Sequence, residues 1–243
     1  MSEHLLLICE GPNDEAVGSK LIERLVGKPG EAWEWMAGTE RPKAFLYWKE
    51  WKDAWKSQSR RMRGTLSMPE RIKRLRKHRG EAVMAVQVVH LTKSKFPKSS
   101  IILMRDSDGK EQRVKAWRAF RQTNKSVIVG MAKKSVEAWV LACWDSDKEQ
   151  IRDASTWIKQ ERGSEFDPFR EPERLAPNLS KRLLEHYNCT CSDDYADVLT
   201  RATDAHIRSD AAKRAGLSQF VEQIEAKLAH IIDIETKQVS DAN

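Results

Sequence analysis

Two stretches decide the fold: HLLLICEGPNDE, residues 4–15, and SIILMRDSDG, residues 100–109. Each is a short apolar run that ends abruptly in acids, Glu10-Gly11 in the first and Asp106-Ser107-Asp108-Gly109 in the second. Runs this short and this apolar, without polar alternation, read as strands buried on both faces. Such strands belong to parallel sheets, which set the strand tips side by side. Carboxylates far apart in sequence then meet at one place.

Working outward, Leu5–Cys9 is read as a strand and Asp14–Val26 as a helix, with Ala16, Val17, Leu21, Ile22 and Leu25 at helical spacing. Gly27, Pro29 and Gly30 stop it. Residues 31–48 are ambiguous, with Ala44–Trp48 the candidate for a second strand. Trp48, Trp51 and Trp55 then repeat at helical spacing, a stripe that serves either packing or base stacking. Ser67-Met68-Pro69-Glu70 has the form of a helix start, and that helix is expected to run to about Lys95, interrupted near Gly80. Ser100–Met104 and Val127–Val129 are expected strands, and Glu111–Gln122 and Lys134–Trp144 expected helices. Alternation of this kind predicts an α/β core built on a parallel sheet. Beyond about residue 146 only helices are expected, at Asp153–Arg162, Leu179–His186, Asp193–Ala205 and Leu217–Ile234. The chain therefore divides into a core, 1–145, carrying a basic helical insertion at about 41–96, and a helical C-terminal region, 146–243.

With 40% apolar and 33% charged residues, the composition is that of a water-soluble globular protein. No apolar run approaches a membrane span, no secretory leader is evident, and a cytoplasmic location is expected. Cys9 and Cys143 sit in apolar contexts, while Cys189 and Cys191 lack a partner pair at zinc spacing. Charge is unevenly placed. Residues 41–79 hold fourteen Lys or Arg against Glu50, Asp53 and Glu70, a net of +11, so the remainder of this +7 chain sums to −4. Arg60, Arg61, Arg63, Arg71, Arg74, Arg76 and Arg79 in this strip are the candidate contacts to a polyanion; a solvated helix face is the alternative.

Glu10, Asp106 and Asp108 all fall at the carboxyl ends of strands, where open α/β sheets bind their ligands. Two carboxylates about 4 Å apart repel by roughly 4 kcal/mol at an effective dielectric near 20, so a cluster of three calls for a cation or a shared proton. Mg²⁺ suits hard oxygen ligands and keeps waters that phosphate oxygens can replace. In extended chain, residues i and i+2 share a side, which predicts that Asp106 and Asp108 face the ion together. Asp14 either joins them or caps its helix. An EF-hand reading of DSDGKEQ fails, because Trp117 occupies the position of the last ligand.

Glu at the end of the first strand followed by D-x-D at the end of a later one resembles the signature of TOPRIM domains. These occur in topoisomerases, bacterial primases, overcoming-lysogenization-defect (OLD) nucleases and small ribosomal-RNA maturases. The resemblance covers roughly residues 3–145. CEGPNDEAV, MRDSDG and AKKSVEAWVLA together look like a small stand-alone group of TOPRIM-like proteins related to the OLD type. That group shows E-G-x-x-[DE]-E, R-D-x-D and [IV]-E-A-W-x-L-A, then a Lys before a Leu-rich helix. PNLSKRLLEHY, with Lys181, matches the last feature, and the similarity extends more loosely to about residue 230.

The resemblance implies a TOPRIM-like (Rossmann-like) sheet flanked by helices and phosphodiester chemistry dependent on Mg²⁺ or Mn²⁺, with one or two ions. It matches Glu10, Asp106 and Asp108 to the core acids, Asp14 to an acidic position of OLD-type nucleases, and Glu137 in VEAW to a further ligand; a solvent-facing Glu137 is the alternative. Cys143 stands where an Asp is expected, with Asp145 nearby. Lys133, Lys134 or Lys181 would neutralise a phosphate. By analogy with OLD-type proteins, a role in defence against phage and a separate ABC-type ATPase partner follow, since this chain has no G-x-x-x-x-G-K-[ST]. TOPRIM nucleases often pair, so a homodimer is also implied. Topoisomerase activity is not expected from a chain whose only tyrosines are Tyr47, Tyr187 and Tyr195, nor primase activity without zinc-ribbon cysteines.

Overall fold

The computed structural model describes residues 3–26, 33–36, 47–50, 53, 80–97 and 99–227. The arginines of the basic strip, Arg60 to Arg79, lie outside these, as do Trp51, Trp55 and the expected helix start at Ser67. The strands are β1 (Glu3–Ile8), β2 (Trp33–Met36), β3 (Ser100–Asp106) and β4 (Ile128–Ala132). They form one parallel sheet in the order β2-β1-β3-β4. Residues Leu5 to Ile8 and Ile101 to Met104 are all buried, as strands covered on both faces require.

Helix α1 (Pro12–Val26) begins with Pro in its first turn and Asp14 and Glu15 near its positive end. It lays Val17, Leu21 and Ile22 against the sheet, each fully buried and each worth about 1.5–3 kcal/mol in area removed from water. Gly18 permits the close approach: a Cβ there would meet Leu7 Cδ2 and Met104 Sδ at 2.9 Å. On the opposite face lie α2 (Glu81–Lys95) and α3 (Glu111–Thr123). Ala82, Ala85, Val88, Trp117 and Phe120 form a core there with Ile8, Ile101, Leu103 and Val129.

The remaining helices are α4 (Glu137–Ala142), α5 (Lys148–Arg162), α6 (Pro177–His186), α7 (Ser192–Arg201), α8 (Asp204–Ile207), α9 (Asp210–Ala215) and α10 (217–227). They close the α1 side of the sheet. Trp139, Leu183, Leu184, Tyr195, Leu199 and Phe220 belong to one apolar cluster with Leu5, Leu7, Ile102 and Met104. Trp139 anchors this packing by stacking on Phe220 at 5.3 Å and donating its indole N–H to Ala215 O at 2.9 Å. At the edge of the sheet, the Gln223 side chain accepts from Val129 N (3.2 Å) and donates to Val129 O (2.9 Å).

Several expected bounds shift, each for a local reason. The second strand is Trp33–Met36; at Ala44–Trp48 the described part is one parallel bridge from Tyr47 to Cys9, after which Trp48 enters a helical turn and packs on Trp117. The helix expected from Lys134 starts only at Glu137, because Lys134 adopts a left-handed backbone (φ 73°) that points its amide at Ser107 Oγ, 2.6 Å away. Helix α5 begins at Lys148, before Asp153, under a capping box formed by Asp147 and Gln150. The helix expected over Asp193–Ala205 is two, with Thr203 capping the second. Among the described residues no helix is long and apolar enough to cross a membrane.

Candidate metal centre

The chain leaves β1 toward β2 on one side and returns to β3 on the other. The crevice beyond the tips of β1 and β3 is therefore a topological switch point, the usual ligand site of open α/β sheets. Glu10 follows β1, and Asp106 closes β3. Strand alternation then divides the acids between the two faces. Leu5, Leu7, Ile102 and Met104 face α1, while Ile8, Ile101 and Leu103 face α2 and α3. Continued one step, the alternation sends Asp106 to the α1 side and Glu10 and Arg105 to the other.

On the α2 and α3 side the acids are already neutralised. Arg105 Nε lies 2.6 Å from Glu10 Oε1, and its Nη1 lies 3.0 Å from Glu81 Oε2. Its guanidinium also covers the Trp48 ring at 5.0 Å. Arg113 Nη1 donates to Asp108 Oδ2 at 2.7 Å and to Asp106 O at 2.8 Å. Burial pushes the Glu10 carboxyl up, and Arg105 and Arg113 pull it back. Asp108 departs from the expected i, i+2 arrangement: it lies past the strand end in a left-handed conformation (φ 50°), so alternation no longer governs its direction. That turn is clasped to the loop after β4, with Asp108 N donating to Lys134 O at 2.8 Å and Lys134 N to Ser107 Oγ.

On the α1 side the acids have no such counter-ions among the described residues. Asp14 is 7% exposed and Glu137 9%. Oδ1 of Asp14 and Oδ1 of Asp106 are both buried without a hydrogen-bond partner among the described residues. Burial, reinforced by Glu10 and Glu137, pushes the Asp14 carboxyl up to about 7. Burial, reinforced by Asp14, Glu137 and Glu10, pushes Asp106 up to about 9. Of the two readings of Glu137, the solvent-facing one is excluded by its burial. Its Oε1 accepts from Tyr195 Oη on α7 at 3.4 Å, so the C-terminal helices help hold it.

As placed, no group of three or more His, Cys, Asp or Glu among the described residues is close enough to hold an ion. The acids nonetheless act on one another electrostatically, and Asp14 Oδ1 and Asp106 Oδ1 are buried oxygens without a hydrogen-bond partner among the described residues. Asp14, Asp106 and Glu137 offer hard oxygen donors of the kind Mg²⁺ and Mn²⁺ take, but as placed they do not converge on one point.

No family model, curated protein or solved structure matches this chain.

Other expected residues stand apart. Lys181 is exposed on α6 and pairs with Glu185 at 3.9 Å rather than with any of these acids. Lys133 is exposed, and burial with the nearby Arg162 lowers the pKa of Lys134. Cys143 is packed in the α1-side core, its thiol pushed up to about 12 by burial, and Asp145 is exposed. The residues that sequence reasoning missed are Arg105, Arg113, Glu81 and Tyr195. The one signal available was Arg105 directly before Asp106, since a charge inside a buried strand needs a partner.

Proposed function

We propose that the chain is a metal-dependent nuclease of TOPRIM type that hydrolyses phosphodiester bonds of DNA or RNA. The observation that carries this reading is a pair of aspartates at the switch point of a parallel sheet, Asp14 buried and Asp106 half-buried, each with a buried Oδ1 that has no hydrogen-bond partner among the described residues. Asp14, Asp106 and Glu137 would hold the ion, and Tyr195 orients Glu137. When bound, Mg²⁺ or Mn²⁺ supplies the positive charge that polarises a phosphoryl oxygen and acidifies a water. Glu10 and Asp108 are reserve ligands that become available when Arg105 and Arg113 exchange them for substrate phosphate. Guanidinium groups suit that exchange because they bind carboxylate and phosphate through the same fork.

The test is incubation of wild type and Asp106→Ala with plasmid, single-stranded DNA and total RNA in Mg²⁺, Mn²⁺ or EDTA. Cleavage by wild type alone, lost in EDTA, is expected and names the substrate. Equal cleavage by Asp106→Ala, or cleavage indifferent to EDTA, removes the reading.

The arginine pairing favours a second reading, in which the chain is an effector held at rest until a separate ATPase partner engages it. Glu10 and Asp108 tied to arginines are what a resting state would contain. Cleavage appearing only when a co-purifying ATPase is added distinguishes this case.

A further inference from the structure

Along the outer edge of β4, between α3 and α10, runs a groove of about 950 Å³. Its charged lining is Arg118, Arg121, Lys125, Lys133 and Lys227, with no acid among the described residues. None of the five forms an ion pair among the described residues, whereas Arg105, Arg113, Arg182 and Arg208 all do. Five uncompensated cations around one concavity repel one another, and an anion arriving there relieves the repulsion. The floor includes Trp117, whose buried indole N–H has no acceptor among the described residues. Gln122, Gln219 and Ser126 add neutral donors of the kind phosphates and sugars use.

The groove is also aimed. It runs from Lys125 and Val127, before β4, to Lys133, just after it. At about 3.3 Å per residue that track is roughly 20 Å long. Its Lys133 end lies at the same end of the sheet as the candidate metal centre, since Ala132, the last residue of β4, is the register partner of Asp106. A line of cations over an apolar floor, closing on a phosphodiester site, suits a continuous polyanion better than the scattered carboxylates of an acidic protein.

We propose that this groove seats the sugar–phosphate backbone of a nucleic-acid strand and leads it toward Asp106. The direction of travel rests on the nuclease reading above; the binding itself does not. The surface is separate from the strip at residues 41–79, and sequence reading singled out only its Lys133.

The test is fluorescence anisotropy of a labelled single-stranded oligonucleotide over a salt series, in EDTA so that no chemistry intervenes. Wild type is compared with the combined variant Arg118→Gln, Arg121→Gln, Lys125→Gln. A control variant removes the exposed charges Lys148, Arg152 and Lys213. With about 0.7 in log–log salt slope for each single-strand phosphate contact, the groove variant is expected to lose about 2 in slope and at least about tenfold in affinity. The control and both melting temperatures stay unchanged. Equal affinity of wild type and groove variant overturns the proposal. So does equal weakening by the control, which would reduce the effect to net charge. Displacement of the oligonucleotide by polyglutamate at matched charge would assign the groove to an acidic protein, and also overturns it. Groove-dependent binding without cleavage in Mg²⁺ or Mn²⁺ upholds this inference and sinks the nuclease reading. Cleavage that survives with unchanged KM in the groove variant does the reverse.

Discussion

Replacing Asp106 by Asn keeps the shape of the side chain and removes a carboxyl proton that burial favours. The metal-free protein should then lose much of its sensitivity to alkali. Burial, and then Asp14, Glu137 and Glu10, push the native Asp106 carboxyl up from 3.8 to about 9. Between those values the native state keeps a proton that the unfolded chain has released, so stability falls as pH rises. The contribution is complete below 3.8 and lost on passing about 9. Each pH unit in that window removes at most about 1.4 kcal/mol, or about 3–5 °C in melting temperature for a chain of this size. Mg²⁺ requires the ionised carboxylate, so its stabilising effect grows with pH, reaching about 2.7 kcal/mol at about 100 times its Kd. The assay is thermal melting of wild type and Asp106→Asn between about pH 6 and pH 8, in EDTA and in Mg²⁺. Wild type should lose stability with pH in EDTA and regain it with Mg²⁺, while the variant shows a flatter slope and no Mg²⁺ response. Identical pH slopes in EDTA, or an equal Mg²⁺ shift in both proteins, would refute the reasoning.

Tyr195→Phe removes the hydroxyl that donates to Glu137 and leaves the buried ring in place. Mn²⁺ affinity, measured calorimetrically, is expected to fall by about tenfold, while stability changes by no more than about 1 kcal/mol; wild-type affinity would show that Glu137 holds no metal. Gly216→Ala places a Cβ 2.6 Å from Met131 O at a backbone φ of 89°. A loss of about 2–4 kcal/mol in urea unfolding is expected, and a neutral result would contradict the close approach of α9 to the end of β4.

The strands that build the floor of the site were legible because both faces of the sheet are covered, which leaves Leu5–Ile8 and Ile101–Met104 as unbroken apolar runs. Trp33–Met36 was not. A four-residue strand carrying Glu34 has too few positions to show any period. Lys134 shows the limit at a loop. Nothing in a lysine announces a left-handed backbone, which here is imposed by the Ser107 hydroxyl across the strand tips. At the candidate site the acids themselves could be read, since carboxylates after buried strands are conspicuous. Their sorting could not. Whether an acid sits with an arginine or stands alone depends on which face of β3 it occupies and on α2 and α3, whose Glu81 and Arg113 look like ordinary helix surface in the sequence. The role of Tyr195 depends on α7 docking against α4, a contact between segments far apart in the chain.

The bidentate grip of Gln223 on Val129 bears on how two copies of this chain could associate. An amide side chain that takes both main-chain groups of a border residue substitutes for a neighbouring strand and leaves no template there for β-augmentation. A dimer that extended the sheet through β4 would have to displace that glutamine and pull α10 from its seat. Self-association of this chain is therefore steered to surfaces other than this border.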